Sequence, residues 1–313
     1  MHGHRQPELM NKNLSPHTAR SSGRKLSLLW LGPCLIIAAS AQVVLPQYVV
    51  SATRAPTEPA DLPFSVTSFS GEALRATPTA TLDDALRSVP GFSLFRRSGS
   101  LTANPTAQGV SLRGLGPSGA SRSLMLLDGV PLNDPFGGWV AWSKIPRETL
   151  AGVEIVRGGG ATAWGNAALG GVVQLFTQKP SGNGGRIAAG AGNFGLRGAE
   201  GAIEQLIGRG TLQLSGCDFA IDGFSLVAPE DRGPIDIAAE SRHHWLAARW
   251  SQPVGANGEL TVSARTFAEQ RGNGTPYQRN SSRENSGSVT FTAQPAKIFS
   301  WSAVAMRHVY SNT

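Results

Sequence analysis

One stretch of the chain has residue types and spacing that suit dinucleotide chemistry. Residues 153–163, VEIVRGGGATA, predict a strand followed by a G-x-G-x-x-A turn, which cradles a pyrophosphate when a helix follows directly. Gly165 and the Gly170-Gly171 pair leave no room for such a helix. No acidic residue stands about 20 positions further on, where a ribose contact is expected. The context therefore argues against a nucleotide site.

Metal binding and nucleophilic catalysis have equally little support. Three of the six histidines lie within the first 41 residues, His243 and His244 are adjacent and so point to opposite faces of a strand, and His308 is isolated. Cys217 lies in an ordinary alternating pattern, and no G-x-S-x-G turn is present. We expect no catalytic centre, no metal site and no cofactor, and we do not expect an enzyme.

Composition favours a turn-rich β protein. Charged residues make up 16% of the chain and glycine contributes 38 of its 313 residues, which suits turns better than helical bundles. The formal net charge of +7 is concentrated near the N-terminus, because the first 41 residues hold five Lys or Arg and one Glu. The remaining 23 basic and 20 acidic residues leave only +3, so no nucleic-acid partner is expected.

Residues 1–41 are typical of a signal peptide. A basic stretch over residues 20–25 precedes an apolar run over residues 26–39, and Ala39-Ser40-Ala41 offers an A-x-A cleavage site. A membrane anchor is the alternative, but Gly32-Pro33 breaks the run and leaves it too short to span a bilayer. One cysteine remains after cleavage, so we expect a bacterial envelope protein without disulfides.

Two zones follow this leader. Residues 42–62 hold a short β-prone run and then a stretch rich in Pro and Ala, which predicts an extended linker. Residues 63–180 predict a small α+β domain with a helix over residues 82–88, opened by a Thr81–Asp84 capping box. Its strands are expected over residues 64–68, 92–96, 124–127, 153–157 and 172–177.

From residue 181 to 313 the pattern changes to strict alternation of polar and apolar side chains. The alternating segments are residues 211–215, 244–251, 259–269 and 288–294. Short turns are expected at residues 253–258 and 294–297, and long polar loops at residues 220–241 and 271–283. This combination is typical of a transmembrane β-barrel. A soluble β-sandwich is the alternative, because its strands also alternate.

Five motifs, in order, make the chain resemble the TonB-dependent outer-membrane transporters. They are LRSVPGF (residues 86–92), SLRGLG (111–116), LLDGVPLND (126–134), IP (145–146) and VEIVRGGGATAWGNAALGGVVQLFT (153–177). The resemblance is strong over residues 48–180. Over residues 181–313 it rests on the alternation of polar and apolar side chains alone. It implies an α+β plug domain at residues 63–180, followed by antiparallel transmembrane β-barrel strands at residues 181–313, in the bacterial outer membrane.

The resemblance also implies roles for individual residues. The TonB box, a periplasmic strand that pairs with TonB by β-augmentation, corresponds to Tyr48, Val49, Val50, Ser51, Ala52 and Thr53. Arg113 and Arg157 correspond to two plug arginines that form ion pairs with barrel-wall glutamates, as a charge buried in the lumen requires. Solvated arginines at strand ends are the alternative interpretation of Arg113 and Arg157.

The function implied is TonB-dependent uptake of a scarce nutrient, such as a ferric siderophore, cobalamin or a similar chelate. The expected partners are TonB with its inner-membrane energising complex, outer-membrane lipid, and a small extracellular ligand such as a metal chelate. A non-transporting surface protein that uses a plug-like fold for binding or adhesion is the alternative.

Chain length departs from the family pattern. Barrels of this family have about 22 strands around a plugged lumen. The 133 residues after position 180 allow about seven strands. We therefore expect an incomplete barrel from a fragment or truncated chain, because a bilayer does not tolerate open sheet edges.

Residues 125–139, MLLDGVPLNDPFGGW, combine a turn that serves the fold with a loop that could contact a ligand. Asp128-Gly129 predicts a tight turn after a plug strand. The following loop holds the candidate substrate-facing apex, which comprises Asn133, Asp134, Phe136 and Trp139. Apolar rings in a Gly-rich loop suit ligand contact, and a packing role is the alternative.

Overall fold

The computed structural model of the chain describes residues 61–95, 99–102, 104, 106, 108–114, 122–159, 163–180, 182–296 and 299–312. The predicted signal peptide (residues 1–41) and TonB box (residues 48–53) lie outside the described residues. Among the described residues, no helix is both long and apolar enough to span a membrane.

Two short helices and seven strands are formed by the described residues that precede residue 180. In chain order they are β1 (Ser65–Ser70), α1 (Gly71–Ala76), α2 (Leu82–Leu86), β2 (Phe92–Leu94), β3 (Val110–Leu112), β4 (Ser123–Leu127), β5 (Val130–Pro131), β6 (Leu150–Arg157) and β7 (Gly171–Thr177). Three 3₁₀ turns lie at Trp142–Lys144, Arg147–Thr149 and Asn166–Ala168. The five predicted strands are present, whereas α1, β3 and β5 were not predicted.

A mixed sheet with strand order β1-β6-β7-β4-β5 organises this α+β domain, and β2 and β3 form a separate pair. Only β4 and β7 run parallel. On one face of the sheet, Met125, Ile155 and Leu175 pack against Leu74 of α1 and Leu86 of α2 in one buried cluster. The helices are too short to be stable alone, so this burial keeps them folded.

Both ends of α1 are held by side chains outside the helix. Ser70 caps α1, because its Oγ accepts from the Ala73 N–H at 3.1 Å. At the other end of α1, the Arg147 guanidinium donates to the carbonyls of Leu74, Thr77 and Thr79. These carbonyls lie at or just beyond the helix end, where backbone donors are few: that of Leu74 accepts from the Thr77 N–H at 3.3 Å and that of Thr77 from the Thr79 N–H at 2.8 Å. Arg147 therefore clamps the helix C-terminus.

The start of α2 differs from the predicted capping box. The Thr81 hydroxyl donates to the Asp84 carboxylate at 3.2 Å and makes no hydrogen bond to a helix N–H. The helix also ends at Leu86, two residues before the predicted end. Asp83 is fully buried and accepts hydrogen bonds from the Ser100 N–H at 2.9 Å and from its hydroxyl at 2.5 Å. Asp83 thus ties the helix to the segment near residue 100.

The remaining strands form a single seven-stranded antiparallel sheet, with neighbours following chain order. They are β8 (Gly184–Ala191), β9 (Arg197–Ile207), β10 (Gly210–Phe224), β11 (Ala239–Val254), β12 (Gly258–Gly272), β13 (Arg279–Ala296) and β14 (Phe299–Asn312). The sheet is open, with β8 and β14 at its edges. The predicted number of strands is confirmed.

The connections alternate in length. Residues 208–209 and 255–257 join strands at one end of the sheet, and residues 192–196, 225–238 and 273–278 join them at the other. The predicted loop over residues 271–283 was wrong in extent, because β12 continues to Gly272 and β13 begins at Arg279. These strand ends are polar on both faces, so the apolar alternation that marks a strand is missing there.

The two faces of the sheet meet different surroundings. Leu214, Leu246, Val262 and Val289 lie on the outer face and are exposed. The inner face packs against the α+β domain and buries a mostly polar set, which comprises Gln213, Ser241, Trp245, Phe267, Glu269, Arg271, Ser282 and Glu284. An apolar outer face and a polar inner face are the arrangement of a barrel wall around a polar lumen.

The Arg147 clamp gives a first testable prediction. Arg147→Met removes the guanidinium that donates to three carbonyls at the end of α1, so we expect the free energy of local opening of α1 to fall by about 3 kcal/mol. Hydrogen exchange of the α1 amides, measured by mass spectrometry on detergent-purified protein, should then be roughly a hundredfold faster. The matched control is Arg232→Met, because Arg232 reaches only the Val227 carbonyl in an exposed connection. Unchanged α1 exchange in Arg147→Met would contradict the clamp.

Candidate functional site

The predicted apex follows a tight turn between β4 and β5. Asp128 and Gly129 have φ values of 50° and 82°, the left-handed backbone that a two-residue type I′ turn requires. The Asp128 carboxylate also accepts from the Thr177 N–H at 2.8 Å, which fixes the turn to the end of β7. The prediction of a turn at Asp128-Gly129 is confirmed, and the turn sets the direction of the loop after it.

Asn133 and Asp134 shape the apex loop from within. Asn133 accepts from the Met125 N–H at 2.7 Å and donates to the carbonyls of Ser123 and Gly138 at 3.2 and 3.0 Å. One carboxylate oxygen of Asp134 accepts from two successive N–H groups, of Phe136 and Gly137, at 2.9 and 2.8 Å. Asn133 thereby ties the loop to β4 and Asp134 closes a turn within it, and together they hold the loop in one conformation.

The two aromatic residues of the loop have different environments. Trp139 lies so close to Gly137 that an added Cβ there would stand 1.8 Å from its ring. Trp139 is therefore packed against the loop backbone. Phe136 is 97% exposed. A large apolar side chain held out by a rigid loop has no packing partner among the described residues, so Phe136 is the part of the apex that is free to contact a ligand.

The apex lies against the end of the sheet that carries the long connections. Asn133, Asp134 and Trp139 line a pocket together with wall residues of β13 and β14, among them Ser282, His308 and Tyr310. At the same end, the Asn104 amide donates to the Asn280 side chain at 3.3 Å. The four predicted apex residues are therefore brought together at one end of the molecule.

A second set of functional residues, not predicted from sequence, joins the α+β domain to the wall. The Ser143 hydroxyl donates to the Glu269 carboxylate at 2.6 Å, and Arg271 donates to the same carboxylate oxygen at 2.8 Å. Glu269 and Arg271 are 3% and 4% exposed, so the pair lies fully inside the interface. Three polar groups thus satisfy one another where no bulk water reaches.

Lys144 makes the closest ion pair across this interface. Its ammonium lies 2.8 Å from the Glu284 carboxylate, and His308 lies 3.4 Å from the other oxygen of Glu284. The side chains of Lys144 and Glu284 are 5% and 8% exposed. Burial lowers the pKa of Lys144 below its usual value, while the Glu284 carboxylate opposes that shift. Removal of either partner would leave an uncompensated buried charge.

Further contacts extend the interface across the sheet. The Glu148 N–H donates to the Glu200 carboxylate at 2.8 Å, and the Arg186 guanidinium donates to the Glu148 carbonyl at 2.8 Å. Arg249 lies 3.7 Å from the Asp128 carboxylate. Residues 143–148 therefore contact β8, β9, β12 and β13. A lysine within the apolar stretch WVAWSKIP was the one sequence signal for this segment.

Arg113 and Arg157 lie at another part of the α+β domain. Arg157 donates to the Pro90 carbonyl at 2.7 Å and to the Ser65 hydroxyl, which joins the first residue of β1 to the end of β6. Arg113 is exposed and lies beside Gly158, where an added Cβ would stand 2.7 Å from its guanidinium. Among the described residues, neither arginine forms an ion pair with a carboxylate. Their pairing with barrel glutamates stays a prediction.

Comparison with known families decides what this domain is. Residues 58–172 match the family described as the TonB-dependent receptor plug domain. Residues 58–172 are therefore a plug domain of the TonB-dependent receptor type. Within the described residues this plug lies against the polar inner face of the sheet, and no cluster of His, Cys, Asp and Glu there is arranged to hold a metal ion.

Two curated relatives illustrate the family. The chain is 28% identical over 218 residues to the vitamin B12 transporter BtuB of Vibrio vulnificus, covering 69% of this chain and 34% of that protein. A stretch of 130 residues is 32% identical to the ferrienterobactin receptor of Escherichia coli, covering 37% of this chain and 17% of that protein. The chain spans about a third of the length of the first relative and less of the second.

Solved structures share the fold of the plug and the strands. The siderophore receptor PirA from Pseudomonas aeruginosa has a TM-score of 0.59 at 19% identity, covering 80% of this chain and 41% of that one. The siderophore receptor PiuA from Acinetobacter baumannii has a TM-score of 0.64 at 16% identity, covering 87% of this chain and 40% of that one. The predicted fold class, a plug followed by antiparallel barrel-type strands, is thereby confirmed.

The buried ion pair gives a second prediction. Lys144→Met and Glu284→Gln should each lower the free energy of plug unfolding by about 3–5 kcal/mol, because each leaves one partner without its counter-charge. The double variant should lose less than the sum of the two, with a coupling of about 2 kcal/mol. Urea titration of detergent-purified protein, followed by tryptophan fluorescence, measures these energies.

The matched control for this cycle is the pair formed by Lys179 and Glu259. Their charged groups are 2.9 Å apart, but the Lys179 side chain is 71% exposed. Removing both charges should change stability by less than about 1 kcal/mol. Strict additivity of the Lys144 and Glu284 variants would show that the pair does not fix the plug.

Proposed function

We propose that the protein to which this chain belongs takes up a small metal chelate across the bacterial outer membrane, driven by TonB. The observation that carries the proposal is a plug domain joined by buried polar contacts to the inner face of a strand wall whose outer face is apolar. Such a wall suits a lipid bilayer, since each strand between β8 and β14 is hydrogen-bonded to a neighbour on both sides and the outer face exposes apolar side chains such as Leu214, Leu246 and Val262. The outer membrane is accordingly the proposed location.

TonB is proposed to engage residues 48–53. Residues 61–64 lead directly into β1, which lies at the edge of the plug sheet and pairs only with β6. A pull on the chain before Ser65 therefore loads the β1–β6 pair first. Arg157, which holds Ser65 and the Pro90 carbonyl, is placed to resist that pull. Its proposed role is to join the TonB-facing segment to the plug core.

The ligand is proposed to contact the apex loop from the side of the long connections. Phe136 is the exposed apolar group there, whereas Asn133 and Asp134 keep the loop rigid. A rigid loop that presents one aromatic ring loses little conformational entropy on binding. Ferric siderophores and cobalamin are the proposed ligand class, in keeping with what the relatives' names state for those proteins.

Deletion of residues 48–53 tests the TonB step. Energised uptake of radiolabelled ferric enterobactin or cyanocobalamin by cells should be abolished, while binding to de-energised cells is retained. The physical reason is that the strand offered for β-augmentation is lost and the plug and loops are untouched. Uptake at the native rate would exclude TonB engagement at these residues and favour a protein that binds without transport.

Phe136→Ala tests the apex. Loss of one exposed aromatic contact should weaken binding of whichever of these two ligands is bound by about tenfold. Thermal stability should stay unchanged, because the ring packs against no described neighbour. Leu169→Ala removes a half-exposed apolar side chain elsewhere on the plug and is the matched control. Equal affinity of the native protein and Phe136→Ala would rule out the apex as a binding element.

A further inference from the structure

His308 and Lys144 approach the same carboxylate from two sides. The Lys144 ammonium, which belongs to the plug, lies 2.8 Å from Oε2 of Glu284, and Nδ1 of His308, which belongs to the wall, lies 3.4 Å from Oε1. His308 and Glu284 come from the neighbouring strands β14 and β13, in whose register His308 pairs with Ser286. One buried carboxylate therefore serves a donor from the plug and a donor from the wall.

His308 is the member of this group that solvent reaches best. Its side chain is 20% exposed, against 5% for Lys144 and 8% for Glu284. His308 also lines the groove beside the apex loop, where Phe136 is almost fully exposed. Histidine is the side chain whose charge ordinarily changes between about pH 5 and pH 8. A change in external pH can thus act at this position while the plug is still in place.

The charges around His308 are balanced while its imidazole is neutral. Two cavities, one toward the apex loop and one toward the short turns, hold the titratable and charged groups that face it. They are Glu284, Asp134, Lys144 and Tyr310 in the first cavity, and Glu284, Asp128, Arg249 and Arg265 in the second. Three cationic side chains thus face three carboxylates, and a proton on His308 adds one positive charge in excess.

Protonation of His308 weakens the contact between Lys144 and Glu284 for two reasons. The imidazolium donates a charge-assisted hydrogen bond to Glu284, so the carboxylate divides its charge between two cations. The two cations also repel each other across the carboxylate, in an interface where charges interact more strongly than in water. Arg265 adds to this repulsion, because its guanidinium donates to the Lys144 carbonyl at 3.3 Å.

The direction of the pH effect depends on which state of the plug lets His308 hold a proton more tightly. With the plug in place, Lys144 repels the proton and burial disfavours the charge. With the plug parted from the wall, Lys144 is absent and Glu284 attracts the proton without competition. The parted state therefore binds more protons, and the plug is held less firmly as the pH falls through the range in which His308 titrates.

We propose that His308 is a proton-binding site that loosens the plug from the wall in acidic surroundings. The ligand of this site is the proton, and its effect is exerted on the ion pair between Lys144 and Glu284. The site itself rests on contacts within this chain. Its consequence for uptake, a plug that yields to TonB more readily in acid, rests on the function proposed above.

Urea titration of detergent-purified protein at about pH 8 and about pH 5.5 tests the site. The equilibrium constant for plug unfolding of the native protein should rise about tenfold in acid, the factor expected from a tenfold difference in proton affinity between the two states. His308→Gln should show no such rise, because glutamine takes up no proton. Each protein is compared with itself at the two pH values, so a uniform loss of stability does not affect the result.

The matched control is His244→Gln, which replaces a histidine whose side chain is exposed on the wall. It should respond to acid like the native protein. His308→Lys carries a permanent charge at the proton site, so its unfolding constant should be high at both pH values and change little between them.

Lys144→Met separates competition for Glu284 from a general weakening by acid. Glu284 lacks its plug partner in this variant, and protonated His308 supplies the missing counter-charge. Acid should therefore lower the unfolding constant of Lys144→Met about tenfold, which is the opposite of the native response. The double variant Lys144→Met/His308→Gln should lose this effect.

Three results would each overturn the proton site. They are native protein that is equally stable at both pH values, a native response retained in His308→Gln, and an unfolding constant of Lys144→Met that rises in acid. None of these measurements involves TonB or a chelate, so the proton site and the proposed function fail separately. Native uptake after deletion of residues 48–53 would overturn the proposed function and leave the proton site standing.

Discussion

The buried carboxylates Glu269 and Glu284 on the inner face of the strand wall constrain the rest of the structure. A carboxylate removed from water is tolerated only when hydrogen bonds and counter-charges replace its hydration. The wall supplies part of this itself, through Arg271 and His308, and the plug supplies the remainder through Ser143 and Lys144. Wall and plug are therefore each incomplete without the other.

This constraint explains the position of the plug. Residues 143–148 run through the 3₁₀ turns at Trp142–Lys144 and Arg147–Thr149, just before β6, and they contact four of the seven wall strands. The same segment carries Arg147, whose clamp on α1 connects the interface to the plug core. Contacts with the wall and folding of the plug thus depend on one short stretch, and the exposed side chain of Phe136 takes part in neither.

The sequence predicted the structure correctly where the backbone preference of a few residues or the alternation along one strand decides the conformation. Asp128-Gly129 predicted its turn because few residue pairs accept left-handed backbone at both positions. Alternation predicted the wall strands because one face meets apolar surroundings and the other polar ones. The same rule failed at residues 271–283, where both faces are polar and the strands nevertheless continue. It also missed α1, whose six residues fold only through Ser70, Arg147 and the core.

The sequence by itself determined the order of the parts: a predicted leader and TonB box, a plug with five recognisable motifs, and strands with one apolar face. Only the tertiary structure decided which charges meet. Lys144 and Glu284 are 140 residues apart in the chain, and their 2.8 Å contact depends on how the plug fits the wall and on the register of β13. The local sequence around either residue does not indicate its partner, because an ion pair across an interface is set by the packing of two surfaces.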